Sequence, residues 1–182
     1  VQTCALPISA FNRLYQAGFS PNLVERPRLE KHMQKVLNDV VKMRGLITPA
    51  SKETHIQKAI FEAIQTVSRN LVCMLELQIN AYWASRPGHF VMLNAHTLRE
   101  TQQMTQQTLL TIAHALYEGN PQPILANNEK LNEIVAELRQ LIKEQQDDNF
   151  SETPIHGYVW LTIELARQLE LLSHLICRAL RK

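Results

Sequence analysis

The side chains able to do chemistry are scattered along this chain, and their spacing is the first thing to test. Seven histidines are present, His32, His55, His89, His96, His114, His156 and His174. None forms an HExxH or ExxH pair, the spacings by which successive turns of one helix aim two ligands at a metal ion. His89 and His96 share a side only if a helix already runs from His89. Phosphotransfer on an exposed helical histidine is a second chemistry, with His55 and His114 as candidates, and neither stands in a distinguishing local pattern. No GxSxG, P-loop or GxGxxG occurs, and five glycines are too few for phosphate-cradling loops. No nucleophile, base and orienting group converge, so the expectation is a protein that is not an enzyme and needs no cofactor or metal.

The carboxylates Glu129, Glu133, Glu137 and Glu144 recur on one side of a helical pattern and read as a solvated face. Glu76 is different. It stands between Leu71-Val72-Cys73-Met74-Leu75 and Leu77, so a partly buried carboxylate there either pairs with a base on a neighbouring helix or holds a ligand. Thr101 and Thr105 fall on the inner face of a Thr/Gln-rich helix, where their hydroxyls either bond the preceding turn, line a cavity or admit a close neighbour. A basic stretch carries Arg26, Arg28, Lys31, Lys35, Lys42 and Arg44 against Glu25, Glu30 and Asp39. That pattern suits either an anionic surface such as a membrane leaflet or plain solvation.

The elements that must position these groups are helices. A short piece covers 10–17, and a second helix is expected from Pro27 to Arg44 with Gly45 beyond its end. Ser51 can cap a long helix over about 51–85, with Ile56, Ile60, Ile64, Val67, Leu71, Leu75, Ile79 and Tyr82 on one face and Pro87-Gly88 as its stop. Further helices are expected over 90–118, ending at Gly119, over 128–146, and from Pro154 onward. No period-2 strand pattern is present. The fold expected is all-α, an elongated antiparallel bundle of five to six helices.

Composition agrees. The chain has 182 residues, 20 % charged and 45 % hydrophobic, which is ordinary for a globular domain. Nineteen Lys and Arg against seventeen Asp and Glu give +2, too balanced for a dedicated nucleic-acid binder. No apolar run reaches the roughly 18 residues of a membrane span. The opening, Val1-Gln2-Thr3-Cys4-Ala5-Leu6-Pro7-Ile8, is what GTT CAG ACG TGT GCT CTT CCG ATC encodes, the end of a common sequencing adapter. Residues 1–9 are therefore expected to be a translated artefact and 10–182 a single helical domain, a fragment of a larger protein. Setting Cys4 aside leaves Cys73 and Cys177, expected as small buried hydrophobes in a reducing compartment.

The order of elements carries a resemblance. The basic helix closes on Lys42-Met43-Arg44-Gly45-Leu46, followed by Pro49-Ala50-Ser51, the long helix, a Ser85-Arg86-Pro87 break and the Thr/Gln-rich helix. Then comes Ser151-Glu152-Thr153-Pro154-Ile155-His156-Gly157-Tyr158-Val159-Trp160. Over most of residues 10–175 this resembles the soluble helical domain between the membrane halves of the fusaric-acid-resistance-like aromatic acid exporters. Members share a Met-Arg-x-Leu turn and a Glu-Thr-Pro stretch followed by an aromatic pair, which Tyr158 and Trp160 match in spacing. The resemblance implies a cytoplasmic module of a bacterial inner-membrane efflux protein that moves aromatic carboxylates or similar toxic organic acids. Its partners would be its own transmembrane halves, with a homo-oligomer as a further expectation and no nucleic acid. Glu76, Thr101, Thr105, Tyr158 and Trp160 are the candidates for ligand contact or packing. The alternative is a free-standing helical sensor or phosphotransfer module.

Overall fold

The computed structural model describes residues 8–10, 12–13, 26–84, 96–147 and 153–181. Five long helices fill it: α1 (Arg26–Thr54), α2 (Lys58–Ala84), α3 (His96–Glu118), α4 (Gln122–Asp147) and α5 (Thr153–Leu180). At 1.5 Å per residue they are about 35–45 Å long. Among the described residues there is no strand. The chain is thus an all-α helical bundle, as its periodicity requires. Three-residue turns join α1 to α2 and α3 to α4, short enough to make each pair an antiparallel hairpin. α5 packs against α2, α3 and α4, whereas α1 packs on α2.

The first hairpin differs from expectation. α1 does not stop at Arg44 but runs ten residues further, through Gly45 and Pro49, to Thr54. Pro49 removes the amide that would bond the Gly45 carbonyl, yet both residues are exposed, so water can serve that carbonyl. Buried Ile47 meanwhile gains from continuing the helix. The stop comes at His55, whose φ of 59° places it in the left-handed region that ends many helices. Ser51 is therefore no cap of the long helix. Its hydroxyl lies inside α1 and donates to the Ile56 carbonyl at 2.7 Å, while Thr54 donates to the Ala50 carbonyl at 2.7 Å. The long helix begins at Lys58 instead of 51.

The second hairpin shows the opposite error in reading proline. α3 ends at Glu118 before Gly119, with φ 71°, as expected. α4, however, starts at Gln122, six residues before the expected Asn128. Asn120 Oδ1 accepts the Gln122 amide at 3.1 Å and the Pro121 carbonyl accepts the Ile124 amide at 3.1 Å. Pro123 sits in the first turn, where a missing N–H costs nothing.

The core follows the apolar stripes. Leu165, Leu169, Leu172 and Ile176 of α5 are fully buried, with Leu75 of α2, Ile112 of α3 and Leu131 and Leu138 of α4. Ile8, which the adapter reading sets outside the fold, lies 5 % exposed with this core. Several expected features fall outside the described residues: most of the adapter stretch and the first helix, the break at 85–88, the helix start near Phe90, His89, Val91, Ala95 and the linker after Asp147. The side chains of Tyr82, Leu98, Leu141, Ile142, Glu144 and His156 do so too.

Three stability predictions follow from this fold. Leu169→Ala should lower the unfolding free energy by about 2–5 kcal/mol, because it opens a cavity at a fully buried core position. Leu171→Ala, at 45 % exposure, should change it by less than about 0.5 kcal/mol in the same urea titration. His55→Gly should raise stability by up to about 1 kcal/mol by relieving the left-handed backbone, seen as a higher melting temperature.

Candidate functional site

Polar side chains are concentrated inside the bundle, along α5. Tyr158 is 1 % exposed, and its hydroxyl accepts a hydrogen bond from Gln102 Nε2 of α3 at 3.1 Å. One turn on, Thr162 donates its hydroxyl to the Tyr158 carbonyl at 2.9 Å and accepts Gln78 Nε2 of α2 at 2.7 Å. A chain of hydrogen bonds therefore ties α2 and α3 to the same two turns of α5. A second set joins α3 to α4: Asn127 Nδ2 donates to Thr108 Oγ1 at 2.7 Å, and Thr108 donates to the Met104 carbonyl at 2.7 Å. Asn132 Nδ2 reaches Glu170 Oε1 at 3.2 Å at the α4–α5 surface.

Not every buried polar atom finds a protein partner. Gln78 Oε1, both amide atoms of Asn128, Gln168 Oε1 and Ser173 Oγ have none.

The expected site residues part company here. Thr101 and Thr105 are buried, and Thr105 donates its hydroxyl to the Thr101 carbonyl at 2.8 Å, a bond to the preceding turn. Tyr158 packs in the core beside them in the seam. Trp160 is 55 % exposed, because residues two apart on a helix point to different sides, so the aromatic pair is split between interior and surface. Glu76 is not partly buried. It is exposed, as are Cys73 and Leu77 on the same side of α2, and among the described residues no ion pair holds it. It borders a groove of about 350 Å³ between α1 and α2, floored by Leu29, Met33, Leu37 and Ile79 and carrying Glu30 as its second carboxylate.

The remaining chemistry is that of surfaces. His96, His114 and His174 each lie within 4.0 Å of a glutamate one turn away, on exposed helix faces. His55 is exposed at the α1–α2 turn. Among the described residues no three His, Cys, Asp or Glu side chains gather as a metal site. Cys177 is buried as expected; burial pushes its thiol up, with Arg181 pulling the other way, and it faces the Pro121 carbonyl at 3.8 Å. Cys73 is exposed, which corrects the expectation of a core residue.

Sequence reading passed over Gln78, Asn127, Asn128 and Ser173. The signal for Gln78 was available: it stands three residues after Leu75, on the apolar stripe of α2. Asn128 was hidden by the misplaced start of α4, which put it at the helix's first residue and not in its interior. The seam predicts an asymmetry. Thr162→Val should cost about 1–3 kcal/mol by stranding Gln78 Nε2. Adding Gln78→Met should recover most of that loss, because both partners are then apolar, and urea unfolding of the two single variants and the double variant measures it.

No family model matches the chain, and no solved structure matches it. Inner membrane protein YeeA of Escherichia coli (strain K12) is 68 % identical over 178 residues, which are 98 % of this chain and 51 % of that protein. The chain thus spans about half the length of the curated relative it matches. No described helix is long and apolar enough to cross a membrane. The chain is a close homologue of part of an inner membrane protein.

Proposed function

We propose that this chain is the non-spanning, cytoplasmic helical module of a larger bacterial inner-membrane protein, and that the whole protein exports aromatic carboxylates or similar toxic organic acids. The observation that carries the first part is the match itself. Nearly all of this chain aligns at 68 % identity with an inner membrane protein twice its length, while none of its described helices has the apolar length to span a bilayer. Membrane insertion on this reading belongs to other parts of the protein. The export activity is supported by the Met43-Arg44-Gly45-Leu46 sequence, which lies within α1, and by the Glu152-Thr153-Pro154 stretch, both of which resemble the aromatic acid exporters.

On this reading the module's task is mechanical. Its hydrogen-bonded seam holds α2, α3 and α5 in one register. Such a body joins and orients membrane segments or pairs with a second copy, and transport chemistry lies elsewhere. Deleting the full-length gene should sensitise cells to a hydroxylated benzoate, with resistance restored by the full-length gene and not by this module alone. Unchanged sensitivity, with the full-length protein present in inner-membrane fractions of the parent strain, would remove the export assignment. Recovery of that protein in the soluble fraction would remove the membrane assignment.

A further inference from the structure

α1 is the helix with the fewest neighbours, and its outward face is chemically distinct. Its inward stripe, Leu29, Met33, Val36, Val40 and Ile47, is spent on packing. On the opposite side Lys31, Lys35, Lys42 and Lys52 are all exposed and lie within about 100° of one another around the helix. They extend along about 32 Å of its length. Exposed Asn38, Gly45 and Pro49 fill the stripe between them. Asp39 stands at its edge, 3.8 Å from Lys42, and Glu53 is the acid at its far end. Two apolar side chains flank the lysines, Val41 at 50 % and Leu46 at 47 % exposure.

The whole chain carries only +2, so this concentration of positive charge is local. The exposed glutamates Glu129, Glu133 and Glu137 follow one another on α4, which packs on α3 and α5 and not beside α1. The molecule therefore presents a cationic side and a more acidic one, and an anionic surface would turn α1 toward itself.

We propose that the outward face of α1 is a docking surface for an anionic phospholipid bilayer, with its lysines on the headgroups and Val41 and Leu46 against the interface. The inference rests on the reading of this chain as a module of an inner-membrane protein. Charge complementarity selects the partner: clustered lysines are drawn to a negatively charged leaflet, and exposed aliphatic side chains beside them favour lipid over a purely ionic polymer such as nucleic acid.

The test is sedimentation of the purified 182-residue chain with vesicles of phosphatidylcholine alone or with phosphatidylglycerol. The chain should pellet with the anionic vesicles, not the neutral ones, and lose that binding as salt shortens the screening length. The triple variant Lys31→Gln, Lys35→Gln, Lys42→Gln should bind on the order of a hundredfold more weakly. The same number of charges removed from α4, by Lys130→Gln, Arg139→Gln and Lys143→Gln, should leave binding nearly intact. Circular dichroism checks that both variants stay helical. Absence of binding to anionic vesicles, or equal loss in the two variants, would overturn the proposal. So would preferential binding to a DNA duplex, or a dimer in analytical ultracentrifugation that only the α1 variant abolishes. Fractionation of the full-length protein separates the two readings. Its presence in the inner membrane, with no vesicle binding by the module, defeats the α1 surface alone; its absence from the membrane defeats the functional reading whatever the vesicles show.

Discussion

Burial of α5 is the constraint on which the other helices depend. Tyr158, Val159, Leu161, Thr162, Ile163, Leu165, Ala166, Leu169, Leu172, Ser173, Ile176, Cys177 and Ala179 are all buried, which leaves only a narrow stripe through Trp160, Arg167, Leu171, His174 and Arg178 exposed. A helix this apolar is not stable alone in water. It is covered on one side by α2 and on the others by the α3–α4 hairpin. Each of those elements needs only one apolar stripe to do so, which explains why α3 and α4 can be rich in Thr, Gln and Glu while α5 cannot. α1 stands outside this arrangement. It adds a layer to α2, joined by a short turn and by the Gln65 Nε2 to Val40 carbonyl contact at 3.4 Å.

The polar seam gives this packing its register. Leucines at helical spacing can slide by a turn with modest loss, because one apolar layer resembles the next. A buried Gln78 that must meet Thr162, and a Gln102 that must meet Tyr158, do not tolerate such a slip. The threonines contribute differently. Thr105, Thr108 and Thr162 each donate their hydroxyl to the carbonyl four residues earlier, so they are satisfied within their own helix and leave a lone pair for a neighbour. Thr108 and Thr162 use it, accepting Asn127 and Gln78.

The helical class and the inner faces were legible because a 3.6-residue period is a direct image of burial on one side. Ile60, Ile64, Val67, Leu71, Leu75 and Ile79 were placed together by spacing and are buried together. Boundaries were less legible, because proline and glycine act through whether the orphaned carbonyl can reach water. Pro49 is tolerated on an exposed turn, and Pro121 with Pro123 opens a helix where it was taken to follow one. The stop at His55 left no signal in residue type, since glycine or asparagine is the usual occupant of a left-handed end. Glu76 was misplaced for a related reason. Its apolar neighbours in sequence suggested an interior, but Cys73 and Leu77 face out with it, while Leu71, Val72 and Leu75 turn inward. Composition along the chain is no guide to burial when the helix turns 100° per residue.

The same geometry separates two kinds of polar group among the described residues. A reacting group needs access as well as position, and here the two are separated. The residues held in place by several helices, Tyr158, Thr162, Gln78 and Thr105, are sealed from solvent, while the titratable groups in reach of it, Glu76, His55, His114 and Cys73, are each held by one helix or turn. Preorganisation of a reactive constellation requires both conditions at one place. What the bundle does preorganise is a set of outer faces, each rigid because its reverse side is packed. Among these, α1 is the one whose reverse side meets a single helix and whose front combines like charges with exposed aliphatic side chains. Like charges set side by side along one face repel one another, and an anionic surface that approaches them lowers that cost.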